Sequence, residues 1–216
     1  MNKFYHEFMK HIESEDKISS LNFVLNKLQN NEIDILTLYN ELLAPALNTM
    51  TPHENERGFI WKEHIRSSIV RTIIENCYPY VLRERDEKYK KKNNQRVAVV
   101  CPTEEYHEIG ARMVTDFFTL LGYNATFVGS NTPKEQFIEI LESIHFDYIA
   151  ISVSNSYNLI AARKTVDKIK EHPSATKIIV GGRAIERKES NYKDIGADFY
   201  FSTFKDLANL HEEGKE

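Results

Sequence analysis

The chain has 216 residues, with 28 basic and 32 acidic side chains and a formal net charge of −4. That length suits two small domains or one large one, and a hydrophobic content of 41% supplies a normal core. The charge balance excludes a general nucleic-acid binder, and two cysteines, Cys77 and Cys101, are too few and too far apart for a zinc site or a disulfide framework. Both cysteines lie in apolar surroundings and read as buried thiols. Without a signal peptide or an apolar run of bilayer length, the expectation is a soluble cytoplasmic protein with no membrane contact.

Residues 1–87 show helical periodicity and no convincing strand. Phe4, Phe8 and Ile12 recur at four-residue spacing, and Leu21, Val24, Leu25 and Leu28 make a second apolar stripe. Ile35, Leu38, Leu42 and Leu43 make a third, predicted to end near Pro45, and Ile65, Ile69, Ile73 and Ile74 a fourth, running towards Pro79. Between the last two lies a polar loop, Thr51 to Gly58, that contains His53. This half reads as a bundle of four or five helices. Lys88–Gln95, with a basic run from Lys88 to Lys92, reads as a solvated linker.

From residue 96 to 216 the pattern alternates. Predicted strands are Val97–Cys101, Ala125–Gly129, Tyr148–Val153, Lys177–Val180 and Asp198–Phe201, with helices beginning near His107, Thr132, Leu159, Ile185 and Thr203. Thr132-Pro133 with Glu135 has the composition of a helix start, with a capping hydroxyl, a first-turn proline and an early acid. Short apolar strands alternating with helices predict an α/β fold: a flavodoxin-like, doubly wound, five-stranded parallel sheet whose ligands bind beyond the carboxyl ends of the strands.

Four features fall on those ends. The first is Glu105-Tyr106-His107-Glu108-Ile109-Gly110, between the first strand and its helix. A carboxylate two residues before the histidine can hold one ring nitrogen and fix the tautomer, presenting the other outward. The glycine removes a side chain where something bulky must approach. Together they suggest a metal ligand in front of a large flat cofactor, although a lone histidine after a strand is most often a helix cap or a surface residue. The others are Gly129-Ser130-Asn131, Ser152-Val153-Ser154-Asn155-Ser156 and Gly181-Gly182, which taken singly are ordinary turn and loop chemistry. On one sheet edge they form a slot lined with donors, suited to a long polar tail. No phosphate-loop pattern is present.

These residues resemble the cobalamin-binding domain family, whose Asp-x-His-x-x-Gly, later Ser-x-Leu or Ser-x-Thr, and Gly-Gly pair match Glu105-x-His107-x-x-Gly110, Ser152-Val153-Ser154 and Gly181-Gly182. The first half resembles the helical cap that precedes this domain in methionine synthase and its relatives. Leu42-Leu43-Ala44-Pro45-Ala46-Leu47 is similar to the cap's L-x-P-A-L helix, and Glu63-His64-Ile65-Arg66-Ser67-Ser68 to its E-H-x-x-S helix. The resemblance implies a cobalamin cofactor, as adenosylcobalamin or methylcobalamin. His107 would bind cobalt from below and displace the cofactor's own dimethylbenzimidazole, with Glu105 behind it. The nucleotide tail would lie against Gly110, Gly129, Ser152, Ser154, Gly181 and Gly182. The cap would cover the upper face, with Glu63 and His64 nearest the upper ligand. For Trp61 the readings are a core residue of the cap or an aromatic lid over the corrin. For His53 they are a surface residue or an upper-face cobalt ligand, and for His64 packing within the cap or the same ligand role.

Family enzymes and methyl carriers usually have Asp at the position of Glu105. Glutamate there, with His107 to Gly110 and Arg112-Met113-Val114-x-Asp116-Phe117-Phe118, resembles the light-sensing repressors of MerR type that bind adenosylcobalamin. Their DNA-binding module is not expected here, because cap-like helices begin at once, and His53 stands where they carry an upper-face tryptophan. The resemblance therefore implies a stand-alone cobalamin sensor, including a B12-dependent photoreceptor, that signals to a regulatory partner protein or by homo-oligomer rearrangement without touching nucleic acid. The alternative is a corrinoid methyl carrier serving methyltransferases, and a third reading is a binding or storage module. None makes the chain an enzyme on its own.

Overall fold

The computed structural model describes residues 3–50, 58–90, 93–173, 175–186 and 192–213, and the chain folds as two compact units, Met1–Lys88 and Tyr89–Glu216. Every element of the first is helical among its described residues. Helix α1 (Tyr5–Glu13) buries Tyr5, Phe8, Met9 and Ile12 along one stripe. Asp16 caps α2 (Lys17–Gln29) by accepting the Ser19 N–H at 2.9 Å, and α2 buries Ser20, Val24 and Leu28. Complete burial of side chains such as Phe8 and Leu28 stabilises the unit by about 1.5–3 kcal/mol each.

The third apolar stripe does not end at Pro45. Asp34 caps α3 (Ile35–Thr37), which runs through a π-helical stretch, Leu38–Leu43, into α4 (Ala44–Asn48). Leu42, Leu43 and Ala46 are buried on either side of Pro45, and the chain, having passed through the π-helical stretch, stays helical past it. Likewise α5 (Phe59–Glu84) continues through Pro79. Ile69, Val70, Ile73, Ile74, Cys77 and Val81 bury its face on both sides of the proline, and that packing offsets the roughly 3 kcal/mol a proline costs inside a helix.

The second unit is a five-stranded parallel sheet in the order β2-β1-β3-β4-β5. In chain order it comprises β1 (Arg96–Pro102), α6 (Ile109–Leu120), β2 (Asn124–Thr132), α7 (Gln136–Ser143), β3 (Tyr148–Ser152), a 3-10 turn (Ser156–Asn158), α8 (Leu159–Lys170), β4 (Lys177–Gly181), α9 (Arg183–Glu186), α10 (Tyr192–Ile195), β5 (Phe199–Tyr200) and α11 (Phe204–Glu213). The order reverses beside β1, between β1 and β3, which is the position at which doubly wound sheets open a crevice. β1 is buried from Val97 to Pro102, as expected of a central parallel strand covered on both faces.

Strand β2 is longer than its sequence suggests. Gly129, Ser130 and Asn131 belong to the strand, and the register against β1 shifts between Val99 and Val100 and again before Pro102. Thr132 therefore ends a strand and caps no helix: its hydroxyl donates to the Gly129 carbonyl at 3.3 Å, and α7 begins only at Gln136, after a turn closed from the Gln136 N–H to the Pro133 carbonyl. At the far edge β5 keeps only Phe199 and Tyr200, and α10 is a single turn.

Candidate functional site

The carboxyl ends of β1, β2 and β3 meet around one buried carboxylate. Glu105 lies in the loop between β1 and α6, and its side chain is 0% exposed. Its Oε1 accepts the His107 N–H at 3.0 Å and lies 2.6 Å from His107 Nδ1. Its Oε2 accepts the N–H groups of Ser154 and Asn155, each at 2.9 Å, and the Asn158 Nδ2 at 3.1 Å. Burial pushes this carboxyl upward, but the bonds from the His107 side chain, the Asn155 and His107 N–H groups and the Asn158 amide outweigh it and hold it at about 2. Glu105 is thus a fixed anion at neutral pH.

A fixed anion beside Nδ1 selects the tautomer with the proton on Nδ1, so Nε2 is the ring nitrogen able to bind a metal. The His107 side chain is 59% exposed, two residues before α6. The helix starts later than its sequence suggests because the Glu105 bonds hold this loop out of helical form.

The loop itself is strapped down. Glu104 has φ of +67°, and its N–H donates to Asn131 Oδ1 at 2.8 Å. Asn131, at φ +52°, returns its own N–H to the Glu105 carbonyl at 2.9 Å. Two non-glycine residues in left-handed backbone face each other across β1 and β2, a strain that this reciprocal pair of bonds sustains. Cys101, next to last in β1, lies behind the loop, with Sγ 3.9 Å from the His107 carbonyl. Burial and the nearby carboxylate of Glu105 push its thiol up to about 12, so it is inert at neutral pH.

The four glycines expected to line the slot differ in kind. A Cβ on Gly110 would meet nothing within 4 Å, and neither would one on Gly129. These two leave open space beside the loop that a bulky group can fill. A Cβ on Gly181 would stand 2.7 Å from the Phe201 carbonyl oxygen, and one on Gly182 would stand 2.4 Å from that of Val153. The chain's own backbone demands glycine at both positions, with Gly182 also at φ +105°. Gly182 lies against Val153, whose N–H donates to the Gly181 carbonyl at 2.9 Å and whose own carbonyl accepts the Ala184 N–H at 3.1 Å. Ser152, half-buried, pairs in register with Gly181, and Ser154 contributes its backbone N–H to Glu105.

The structure brings Glu105, His107 and Ser154 together, with Gly110 two residues into α6 and Gly129 in β2. Trp61, Glu63 and His64 belong to the helical unit, on the first turns of α5. Trp61 is 72% exposed, so it is not a core residue of that unit; His64 is exposed and Glu63 half-buried. His53 lies outside the described residues. Asn158 and Asn131 are absent from the expected set. An asparagine just before a helix reads as a cap, and one at a strand end reads as a turn, so neither carried a signal of its own.

Among the described residues no group of three His, Cys, Asp or Glu side chains could hold a bare ion. A tautomer-fixed imidazole beside open space is the kind of donor that suits a metal whose other positions are filled by its own organic ligand. Residues 95–208 match the family described as B12 binding domain. No curated protein matches the chain in sequence. In fold the chain is similar to the monomethylamine corrinoid protein of Methanosarcina barkeri, at a TM-score of 0.76 and 15% identity, with 98% of each chain covered. It is similar as well to a novel cobalamin-binding protein from Desulfitobacterium hafniense DCB-2, at a TM-score of 0.51 and 16% identity, with 96% of each chain covered.

Proposed function

Because the chain belongs to the B12 binding domain family, whose match spans residues 95–208 and so more than half its length, we propose that it is a corrinoid carrier that holds cobalamin for methyl transfer between partner proteins. Its cofactor is cobalamin. When bound, cobalamin supplies a cobalt centre able to accept and release a methyl group. The residues fit it: His107 Nε2 would bind the cobalt, Glu105 would fix the ring, and the open space at Gly110 and Gly129 would take the cofactor's tail. Ser152 would lie beside that tail, whereas Ser154, Gly181 and Gly182 would act through their backbone. No substrate chemistry is assigned to the chain itself; donor and acceptor methyltransferases are the partners this reading requires.

The observation that carries the reading is the likeness, over 98% of both chains, to a monomethylamine corrinoid protein. The residues that pointed towards a light sensor do other work. Glu105 is consumed by its buried hydrogen bonds, and Met113, Asp116, Phe117 and Phe118 are buried in their own unit, with Phe117 edge-on to Phe204 at 5.4 Å. Packing accounts for them without a signalling role.

The test is reconstitution with hydroxocobalamin and methylcobalamin. A carrier binds both, keeps cobalamin when cobalt is reduced by titanium(III) citrate under argon, and regains the methylated spectrum with methyl iodide. Its elution volume is the same before and after green light. Release of cobalamin on reduction, or a light-driven change in elution, would overturn the carrier reading. In His107→Ala the visible spectrum is expected to shift to that of a cobalamin without a protein imidazole; an unchanged spectrum would remove His107 from the site.

A further inference from the structure

On the sheet face covered by α7 and α8, we propose that two copies of this chain join about a two-fold axis, with α7 of one copy against α8 of the other. The proposal stands apart from the cofactor reading and begins with what each helix leaves outside. α7 buries Phe137 and Leu141, four residues apart, and α8 buries Ala162, Val166 and Ile169. These stripes meet in one core with Ala98 and Val100 of β1. One apolar stripe is all that a helix needs to cover a sheet. Each of the two carries an isoleucine beyond it: Ile140 is 39% exposed and Ile160 69%. α7 is also short, at eight residues, and leaves part of the edge strand bare. Thr126 of β2 stands in register with Ala98, so its side chain points to the same face, yet it is exposed. A strand of a parallel sheet is normally covered there.

Charge identifies the occupant. Glu139 and Glu142 are exposed on either side of Ile140, and Arg163 and Lys164 are exposed one turn after Ile160. Among the described residues no ion pair engages any of these four. Nearby charges are instead matched within the chain: Glu135 pairs with Lys134, and Lys168 with Glu171. One helix is therefore acidic and its neighbour basic, each around an exposed isoleucine. A partner of uniform charge would suit one helix and be repelled by the other. A second copy presents both signs in the reverse order. A two-fold axis between the helices lays each on its opposite and makes every contact twice. Both isoleucines then leave water, and the unpaired charges face their complements.

The experiment is sedimentation velocity on the full, cofactor-free chain, over a dilution series reaching about 100 μM. It is run in about 0.05 M and about 0.5 M salt. A dimer is expected, with a dissociation constant that rises about tenfold or more at the higher salt. Two variants each reverse one helix: Glu139→Lys with Glu142→Lys, and Arg163→Glu with Lys164→Glu. All four positions are exposed, so far-ultraviolet circular dichroism is expected to match the parent. Each variant alone is expected to be monomeric, because like charges then face each other. An equimolar mixture is expected to give a dimer with one copy of each, because the two reversed helices meet and the two native ones do likewise. Ile160→Asp is expected to be monomeric as well, and serves if a double variant does not fold. A parent that stays monomeric at every concentration, or that assembles beyond a dimer, would overturn the proposal. So would a folded variant that dimerises alone, or a mixture that stays monomeric.

Discussion

At the scale of single residues the site is a problem in acceptor counting. Glu105 offers two oxygens and receives five contacts, all from nitrogen: two from His107, one each from the Ser154 and Asn155 backbone, and one from Asn158. A carboxylate satisfies every one of them, and an amide of the same shape does not. In Glu105→Gln the new NH2 group must face either three N–H donors or the His107 side, and each choice sets donor against donor in a buried place. The expected cost is about 3 kcal/mol, read as a lowered urea midpoint of the cofactor-free chain. Unchanged stability would mean that these contacts are not made in solution. Glu105→Asp is milder in charge but shorter by one methylene, so it reaches one end of the network at a time and is expected to fall between Gln and the parent. The pairing of Glu105 with His107 was legible in sequence because it is local, two residues apart. The third and fourth partners were not, because nothing in an isolated stretch around Asn158 records a contact 53 residues away.

At the scale of elements, glycines that look alike in sequence do opposite things. Gly182 joins β4 to α9 with φ +105° and with Val153 oxygen where a Cβ would stand. Gly182→Ala combines left-handed strain with a backbone clash, and its cost is expected to exceed the 1–3 kcal/mol or so typical of strain alone. Gly110 lies two residues into α6 with open space around it. Gly110→Ala is expected to stabilise the empty chain by up to about 1 kcal/mol through helix propensity and to weaken cobalamin binding, because the methyl group enters the space the cofactor needs. Thermal unfolding of the empty protein and cobalamin titration of each variant check the pair. A Gly110→Ala protein that binds cobalamin like the parent would show that this space is not the cofactor's. The alternation of strands and helices was readable from period and apolar runs, since each central strand is a short block such as Val97 to Cys101. Proline misled twice. Pro45 and Pro79 are strong local stop signals, and both are overridden by burial of residues on either side, which is a tertiary effect. The late start of α6 and the extension of β2 have one cause: Glu104 and Glu105 in the loop and Asn131 near the end of β2 find their hydrogen bonds across the sheet edge rather than along the chain.

At the scale of the whole molecule the two units carry their buried acids differently, and acid should separate them. In the helical unit Glu84 accepts the Ile35 N–H at 2.9 Å and pairs with Lys88 at 3.3 Å, while Asp34 pairs with the same Lys88 at 3.0 Å. Burial pushes the Glu84 carboxyl up. Its contribution is therefore fully present at low pH and lost as pH rises through the folded value. Asp34 is shifted the other way: burial pushes it up, but the Thr37 and Lys88 bonds outweigh that and hold it down. Its contribution is lost as pH falls, so the two acids act in opposite directions. In the α/β unit Glu105 is held at about 2 against burial by the His107, Asn155 and Asn158 bonds. A depressed carboxyl contributes stability above its unfolded value, about 4.3, and that contribution disappears as pH falls towards 2. Its full size is about 3 kcal/mol. Acid is therefore expected to open the loops around Glu105 before it loosens the bundle. Hydrogen exchange of the intact, cofactor-free chain, read by mass spectrometry between about pH 5 and 2.5, checks this. Peptides covering residues 102–108 and 153–158 should lose protection, after correction for the intrinsic rate, while those covering 34–46 keep theirs. Loss in the helical peptides first, or a uniform loss across the chain, would mean that Glu105 does not set the acid limit of its unit.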